Sequence, residues 1–271
     1  MRKTMKVLPI ILIMVILSGC GVADTSNKGS NPIVKKQTGS NKDDKVGDKV
    51  HFKGEILQNK ERLLVAPDPK SNEFKSSDKM SVGLTDAVVT NMQGKKMKVE
   101  DLKTGDIIEI TYNGVIMESY PAQIGAFSVK LVGHNKITDG YLAMIDDIYQ
   151  EDSGLNGNIK MIAVDTSGWT GLEANAKKIV LERMNLKYNL DIKEGTMDEL
   201  SAQGIIDKKN LIFKDGILIT ISHMQLSKDN DEISYSISKW RSGTGAIGSD
   251  NARAKWNGKA WDIKKGDVWI S

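Results

Sequence analysis

The chain has 271 residues, 39% of them hydrophobic and 27% charged. This is the composition of a globular protein, and it excludes a disordered or collagen-like chain. At about 150 residues per domain, the length favours roughly two domains. The formal net charge is +3, and Arg2, Lys3 and Lys6 supply the whole excess. Without these three the charges balance, so we expect no nucleic-acid partner, since such binders need a basic surface.

The N-terminus has the features of a secretory signal. Basic residues precede an apolar run at 7–17, which is too short to cross a bilayer but fits a signal-peptide core. Residues 17–20 read L-S-G-C, a pattern that resembles the lipobox of bacterial lipoproteins. The resemblance implies that residues 1–19 are removed and that Cys20 becomes a diacylglycerol-modified N-terminus. The alternative is an uncleaved anchor followed by a free buried thiol.

The lipobox resemblance implies a protein held on the extracytoplasmic face of the cell membrane, with the lipid bilayer as a partner through Cys20. Cys20 is the single cysteine of the chain, which excludes intramolecular disulfides. Residues 20–45 are rich in Ser, Asn, Gly, Lys and Asp, and a segment so poor in apolar residues predicts a flexible tether.

Residues 46–134 are predicted to form a small OB-like β-barrel. Alternating apolar residues and turn signals indicate strands, and Asn113-Gly114 is a strong hairpin signal because type I′ turns need positive φ at both central positions. The predicted strands cover 50–57, 62–66, part of 80–90, 107–112 and 124–132. This is the element order of a five-stranded OB-type barrel.

The barrel segment resembles a domain of uncharacterised lipoproteins from Gram-positive bacteria. The resembling stretches are 52–56, 102–106 and 112–122. They consist of turn glycines and core alternation, so the resemblance implies a fold without assigning catalytic residues. Aromatic side chains that would stack on bases are few in this segment, which again disfavours nucleic acid.

Residues 135–271 are predicted to form an α+β domain that ends in an antiparallel sheet. Helical spacing of apolar residues predicts helices at 138–150 and 172–188, and Thr170/Glu173 and Thr196/Glu199 fit capping boxes. A buried strand is predicted at 160–165. From Asn210 the period becomes two, with predicted turns at 215–216, 227–231 and 257–258. The whole chain is thus assigned to the α+β class, with the barrel first.

Stretches of the second half also resemble a domain of unknown function in secreted proteins of Clostridium and Bacillus type. These stretches are 152–156, 162–165, 213–218 and 238–246. The resemblance implies an envelope protein without an assigned reaction.

The glycine-rich segment 243–248 spells G-x-G-x-x-G, the dinucleotide-binding pattern. That pattern binds a pyrophosphate only between a strand and a helix, and here strands are predicted on both sides. We therefore expect no cofactor. Trp240, Arg241 and Ser242, next to this loop, are the candidate ligand-binding residues, since an arginine and loop amides suit a carboxylate. The simpler interpretation is that Trp240 packs and Arg241 forms a structural ion pair.

Other chemical signatures are weak. Acidic residues at 146–152 do not follow the EF-hand spacing, so a solvated helix face is favoured over a metal site. His51, His134 and His223 are widely spaced, and His223 lies in an apolar strand that suggests a core position. We assign no catalytic and no metal-binding residue. The leading hypothesis is a non-enzymatic binding or interaction module of the cell envelope; the alternative is an envelope hydrolase with a site near 240–248.

Overall fold

The structure is a computed structural model that describes residues 49–271. The predicted signal peptide, Cys20 and the predicted tether lie outside the described residues. Helices long and apolar enough to cross a membrane are not found between residues 49 and 271. The described part is mixed α+β, rich in strands and with few helices, as the sequence predicted.

A closed five-stranded barrel forms the first half. Its elements are β1 (Val50–Asn59), β2 (Leu63–Pro67), α1 (Asn72–Ser76), β3 (Met80–Gly83), β4 (Val88–Thr90), β5 (Asp106–Tyr112) and β6 (Ala122–His134). The sheet order is β3-β2-β1-β5-β6, and a parallel pairing of β3 with β6 closes it. The short β4 pairs with β6 outside the closed ring. Alternate residues of these strands fill one core that includes Ile56, Ile108 and Val129.

The sequence placed the barrel strands closely but misassigned one turn. Asn113-Gly114 does not join two strands directly, because Tyr112 pairs with Ala126 and the connection runs through residues 113–121. Gly114 has the positive φ, 79°, that the sequence signal implied. The signal is local, and it identifies a turn without fixing where the next strand starts.

A second sheet of seven strands forms the other half. It contains β7 (Met161–Asp165), β8 (Asp191–Glu194), β9 (Gly216–Leu226), β10 (Glu232–Ser242), β11 (Gly245–Trp256), β12 (Trp261–Lys264) and β13 (Asp267–Ile270). The order is β12-β11-β10-β9-β7-β8, with β13 also on β11. Strands β9 to β12 are the predicted antiparallel meander, while β7 pairs in parallel with both β8 and β9.

Three helices accompany this sheet. Helices α2 (Lys136–Gln150) and α3 (Ala174–Tyr188) share one core with it, which includes Tyr141, Val180 and Ile237. Helix α4 (Met197–Ala202) contributes Leu200 to a separate, smaller cluster with Phe213 and Leu218. Thr196 and Glu199 form the predicted capping box of α4, and Gly204 adopts the expected positive φ of 72° just after the helix.

Two local predictions in this half are wrong. Thr170 and Glu173 form no capping box: Glu173 is the N-cap of α3 without a side-chain bond, and the Thr170 backbone pairs with the Tyr141 hydroxyl. Asp215-Gly216 is not a hairpin turn, because Gly216 begins β9 in a parallel pairing with β7. Turn residues adjacent to a parallel strand give the same local signal as a hairpin.

The barrel and the second sheet have separate cores and meet through α2, α3 and β1. Helix α2 follows β6 after a single residue, Asn135. On the other side Ile179 of α3 packs against Leu57 and Ala66 of the barrel. The predicted domain boundary at residues 134/135 stays a prediction.

Candidate functional site

A cleft of about 1060 Å³ lies where the barrel meets the second sheet. The barrel contributes the end of β1, the residues that precede β5, and His134 at the end of β6. The other wall comes from α2, α3 and the hairpin between β11 and β12. Its charged, histidine and tryptophan lining residues are Lys60, Glu100, Lys103, His134, Asp139, Asp146, Arg183, Lys187, Trp256, Lys259 and Trp261. Since residues distant in sequence build this cleft, no single motif marks it.

His134 sits between two carboxylates. Its Nδ1 is 2.8 Å from Asp106 Oδ1, and its Nε2 is 2.6 Å from Asp139 Oδ2. Hydrogen bonds to these carboxylates raise the pKa of His134 to about 9. The imidazole is therefore protonated at neutral pH, with both N–H groups donating. Asp106 and Asp139 offset its charge, and neither ring nitrogen is free to act as a general base.

Asp139, which bonds to His134, also belongs to a buried ion-pair cluster with Arg183 and Glu55. Arg183 Nη2 donates to Asp139 Oδ1 at 2.7 Å, and its Nη1 lies 3.5 Å from Glu55 Oε1. Both Arg183 and Glu55 are more than nine-tenths buried. Glu55 also accepts hydrogen bonds from Asn135 Nδ2 and Thr138 Oγ1, while burial raises its pKa. These contacts connect β1, α2 and α3.

Gly105 has no side chain, which leaves space for the charged side chains of Asp139 and Arg183. Its φ is +86°, and a side chain added there would start 2.9 Å from Asp139 Oδ1 and 3.1 Å from Arg183 Nη1. Both the backbone conformation and the close approach favour glycine. The turn signal at residues 103–106 was visible in the sequence, but the charged side chains that approach it were not.

Two tryptophans form the aromatic wall of the cleft. Trp256 stacks over His134 with a centroid distance of 6.4 Å, and Trp261 packs against Trp256 at 5.9 Å. Trp261 is held by a hydrogen bond from its Nε1 to the carbonyl of Lys136, at 2.7 Å. Trp256 remains half-buried, so part of its ring faces the cleft. An aromatic face beside positive charges suits a ligand with a flat apolar part and an anionic group.

Some of the basic side chains that line the cleft form ion pairs with carboxylates, and others do not. Lys187 is paired with Asp146 at 2.7 Å, and Arg183 is committed to Asp139 and Glu55. The side-chain amines of Lys60, Lys103 and Lys259 form no ion pair with any carboxylate of the described residues. Glu100 also lines the cleft and forms no ion pair among the described residues, so the three lysines outnumber this one carboxylate and remain available to a bound anion.

The predicted ligand-binding residues lie elsewhere, at the end of β10. Arg241 Nη1 donates to the carbonyls of Leu155 and Gly157, both at 2.8 Å. Trp240 is half-buried against the small cluster around Phe213. Arg241 therefore holds the 155–157 turn instead of forming the structural ion pair considered from the sequence. A ligand-binding role for Trp240, Arg241 and Ser242 stays a prediction.

The glycine-rich segment 243–248 is a strand connection. Ser242 pairs with Gly245, so residues 243–244 form the tight turn between β10 and β11. Because a strand follows and no helix begins there, the pyrophosphate geometry of a dinucleotide site is not formed by this segment.

Lys239 of β10, four residues before this segment, is fully buried and donates to carbonyls at the C-terminal end of α2. Its Nζ donates to the carbonyls of Tyr149 and Asp152 at 3.1 Å, to Asn156 Oδ1 at 3.2 Å, and to the carbonyl of Glu151. Burial lowers the pKa of Lys239. The alternation along β10 places Lys239 on the same buried face as Tyr235 and Ile237, but the pattern does not show which carbonyls the ammonium group meets.

The acidic cluster and the remaining histidines show no catalytic arrangement in the described residues. Lys265 pairs with Glu151 and lies 3.9 Å from Asp147, which makes this helix face an ion-pair surface. Residues 49–271 contain no group of three or more His, Cys, Asp or Glu side chains arranged to hold a metal ion. His223, expected in the core, is exposed and has a φ of 51° at an irregular position of β9.

Residues 53–133 match a family described as a protein of unknown function, DUF3221. The matched segment is the barrel without the first three residues of β1 and the last residue of β6. No curated protein matches the chain. The family description names no activity.

Proposed function

We propose that this protein is a membrane-anchored, extracytoplasmic binding protein whose ligand occupies the cleft between the barrel and the second sheet. The ligand class is a small anion that carries a flat aromatic or apolar group. The cleft itself carries the proposal, because it combines an aromatic wall with available cations in a concave site of ligand size. The anchor is the predicted lipid on Cys20, outside the described residues.

The charge arrangement favours binding over catalysis. His134 is the histidine of the cleft, and both of its ring nitrogens are engaged by Asp106 and Asp139. A general base needs a free nitrogen within hydrogen-bond reach of the substrate. The alternative of an envelope hydrolase near 240–248 receives no comparable support, since the Arg241 guanidinium is bonded to backbone carbonyls.

We further infer that the barrel is of OB type. Its closing pair, β3 with β6, is parallel while its other ring pairings are antiparallel. A five-stranded Greek-key barrel in this order is the OB arrangement. In this protein the barrel would act as one wall of a composite site, because residues of α2, α3 and the β11–β12 hairpin complete the cleft.

The test is a fluorescence titration of the full chain with naphthalene-2-sulfonate, a probe with one flat ring system and one anionic group. We expect Lys103→Ala combined with Lys259→Ala to weaken binding roughly tenfold, about 1.4 kcal/mol. The matched control is Lys193→Ala combined with Lys228→Ala, which removes the same charge from exposed positions outside the cleft. Equal affinity of both double variants and the unsubstituted protein would reject the cleft as the binding site.

A further inference from the structure

The connection between β5 and β6 exposes three large apolar side chains. Val115 is 61% exposed, Met117 52% and Tyr120 69%. They lie within six residues at residues 115–120, which we call the apolar loop. Single exposed apolar residues are ordinary on a protein surface, whereas three within six residues are typical of a surface that contacts another apolar phase.

The apolar loop lies beside the point where the N-terminal part of the chain enters the barrel. Val50, the first residue of β1, is paired with Tyr112, the last residue of β5. A side chain placed on Gly114 would start 3.2 Å from a methyl group of Val50. The described part of the chain therefore begins, at residues 49–50, beside the start of the apolar loop.

The cleft is at the opposite end of the barrel strands. Strand β1 begins at Val50 beside the apolar loop and ends at Asn59, which lines the cleft. Strand β6 begins just after the loop and ends at His134, also in the cleft. The apolar loop and the cleft thus lie at opposite ends of strands β1 and β6. A membrane in contact with the loop would leave the cleft open to water.

We propose that the apolar loop docks on the lipid bilayer that anchors the chain, as a second contact that orients the protein. The occupant is the bilayer because the chain from the predicted lipid on Cys20 enters the barrel at this end, so the predicted tether lets this end reach the membrane before the cleft end does. Tyrosine favours the headgroup level of a membrane, and short apolar side chains favour the region just below it. Docking would turn the cleft toward the aqueous side, where it meets its ligand. This proposal rests on the predicted lipidation and not on the identity of the ligand.

The experiment uses the full chain, produced in a bacterial host and reconstituted in phosphatidylcholine–phosphatidylglycerol vesicles. Met117→Cys carries an environment-sensitive fluorophore, and spin-labelled lipids in the vesicle quench it on contact. The matched control is Val268→Cys on β13 of the other sheet, where the native side chain is equally exposed at 52%. The unsubstituted chain, treated with the same dye, gives the signal that Cys20 contributes.

The expected result is quenching by spin-labelled lipid at residue 117 at least about twofold greater than at residue 268. Equal quenching at both positions on a lipidated chain would overturn the docking and leave the anchor in place. The mass of the N-terminal peptide reports lipidation separately. A chain that carries no lipid and does not associate with the vesicles would overturn both, while the binding of naphthalene-2-sulfonate tests the cleft independently.

Discussion

His134 shows how one residue of the cleft obtains its charge. An imidazole of ordinary pKa is mostly neutral at neutral pH. In this protein two carboxylates accept hydrogen bonds from the ring and raise its pKa to about 9. The residue that a sequence search would consider first as a base is thereby converted into a fixed cation. Since Asp106 and Asp139 offset this cation, the positive charge available in the cleft comes from its unpaired lysines.

The raised pKa makes stability depend on pH. Because the folded pKa lies above the unfolded value, the contribution is complete below about pH 6.5 and is lost as the pH rises through about 9. The ring is 29% exposed, so solvent screening reduces the contribution to on the order of 2 kcal/mol. Urea unfolding at several pH values between 6 and 10 measures this loss.

The substitution His134→Gln should remove most of this pH dependence and lower stability at pH 7. His51→Gln is the matched control, because His51 bonds to the Thr111 hydroxyl and pairs with no carboxylate of the described residues. If His51→Gln and His134→Gln changed the pH profile equally, the two-carboxylate explanation would be wrong.

At the scale of elements, the C-terminal end of α2 depends on a side chain from another strand. The last carbonyls of a helix have no partner within the helix. Lys239 of β10 supplies donors to the carbonyls of Tyr149, Glu151 and Asp152. The helix end is thus fixed to the sheet by one buried ammonium group.

Lys239→Met keeps the length of the side chain and removes its donors. We expect a loss of about 3 kcal/mol in the free energy of unfolding, since several buried carbonyls lose their partner. Lys255→Met, on the exposed face of β11, is the control and should change stability by less than about 0.5 kcal/mol. Chemical unfolding measures both, and similar small losses would contradict the role of Lys239.

At the scale of the whole molecule, a buried charge cluster joins the barrel to the helices of the second sheet. Glu55 comes from β1, Arg183 from α3, and Thr138 and Asp139 from α2. Removing one member of a buried ion pair leaves its partner without compensation, which is more costly than losing both.

Arg183→Met should therefore destabilise the protein by about 3 kcal/mol, and Glu55→Gln in the same chain should recover part of the loss. Lys187→Met is the control on the same helix, because its ion pair with Asp146 is half-exposed and contributes about 0.5 kcal/mol. A double variant no more stable than Arg183→Met alone would show that Glu55 and Arg183 are not coupled.

The sequence predicted the features that depend on residues close together in the chain, such as strands and helix caps. Alternating apolar residues placed the β-meander, and the Thr196/Glu199 box was confirmed while the equally spaced Thr170/Glu173 box was wrong. The Thr170/Glu173 box does not form because α3 begins at Ala174, which makes Glu173 its N-cap, while the Thr170 backbone bonds to the Tyr141 hydroxyl. The same limit explains the cleft: Lys103, His134 and Trp256 are far apart in the chain, and only the folded barrel and sheet bring them together.

The most direct test of the cleft is an NMR titration of the five tryptophan indole N–H signals with naphthalene-2-sulfonate. The probe should shift the signals of Trp256 and Trp261, which line the cleft, and leave those of Trp240 and Trp269 unchanged. Shifts confined to Trp240 would place the ligand at the 240–248 loop instead. An absence of shifts at Trp256 and Trp261 at saturating probe would contradict the proposal that this cleft binds an aromatic anion.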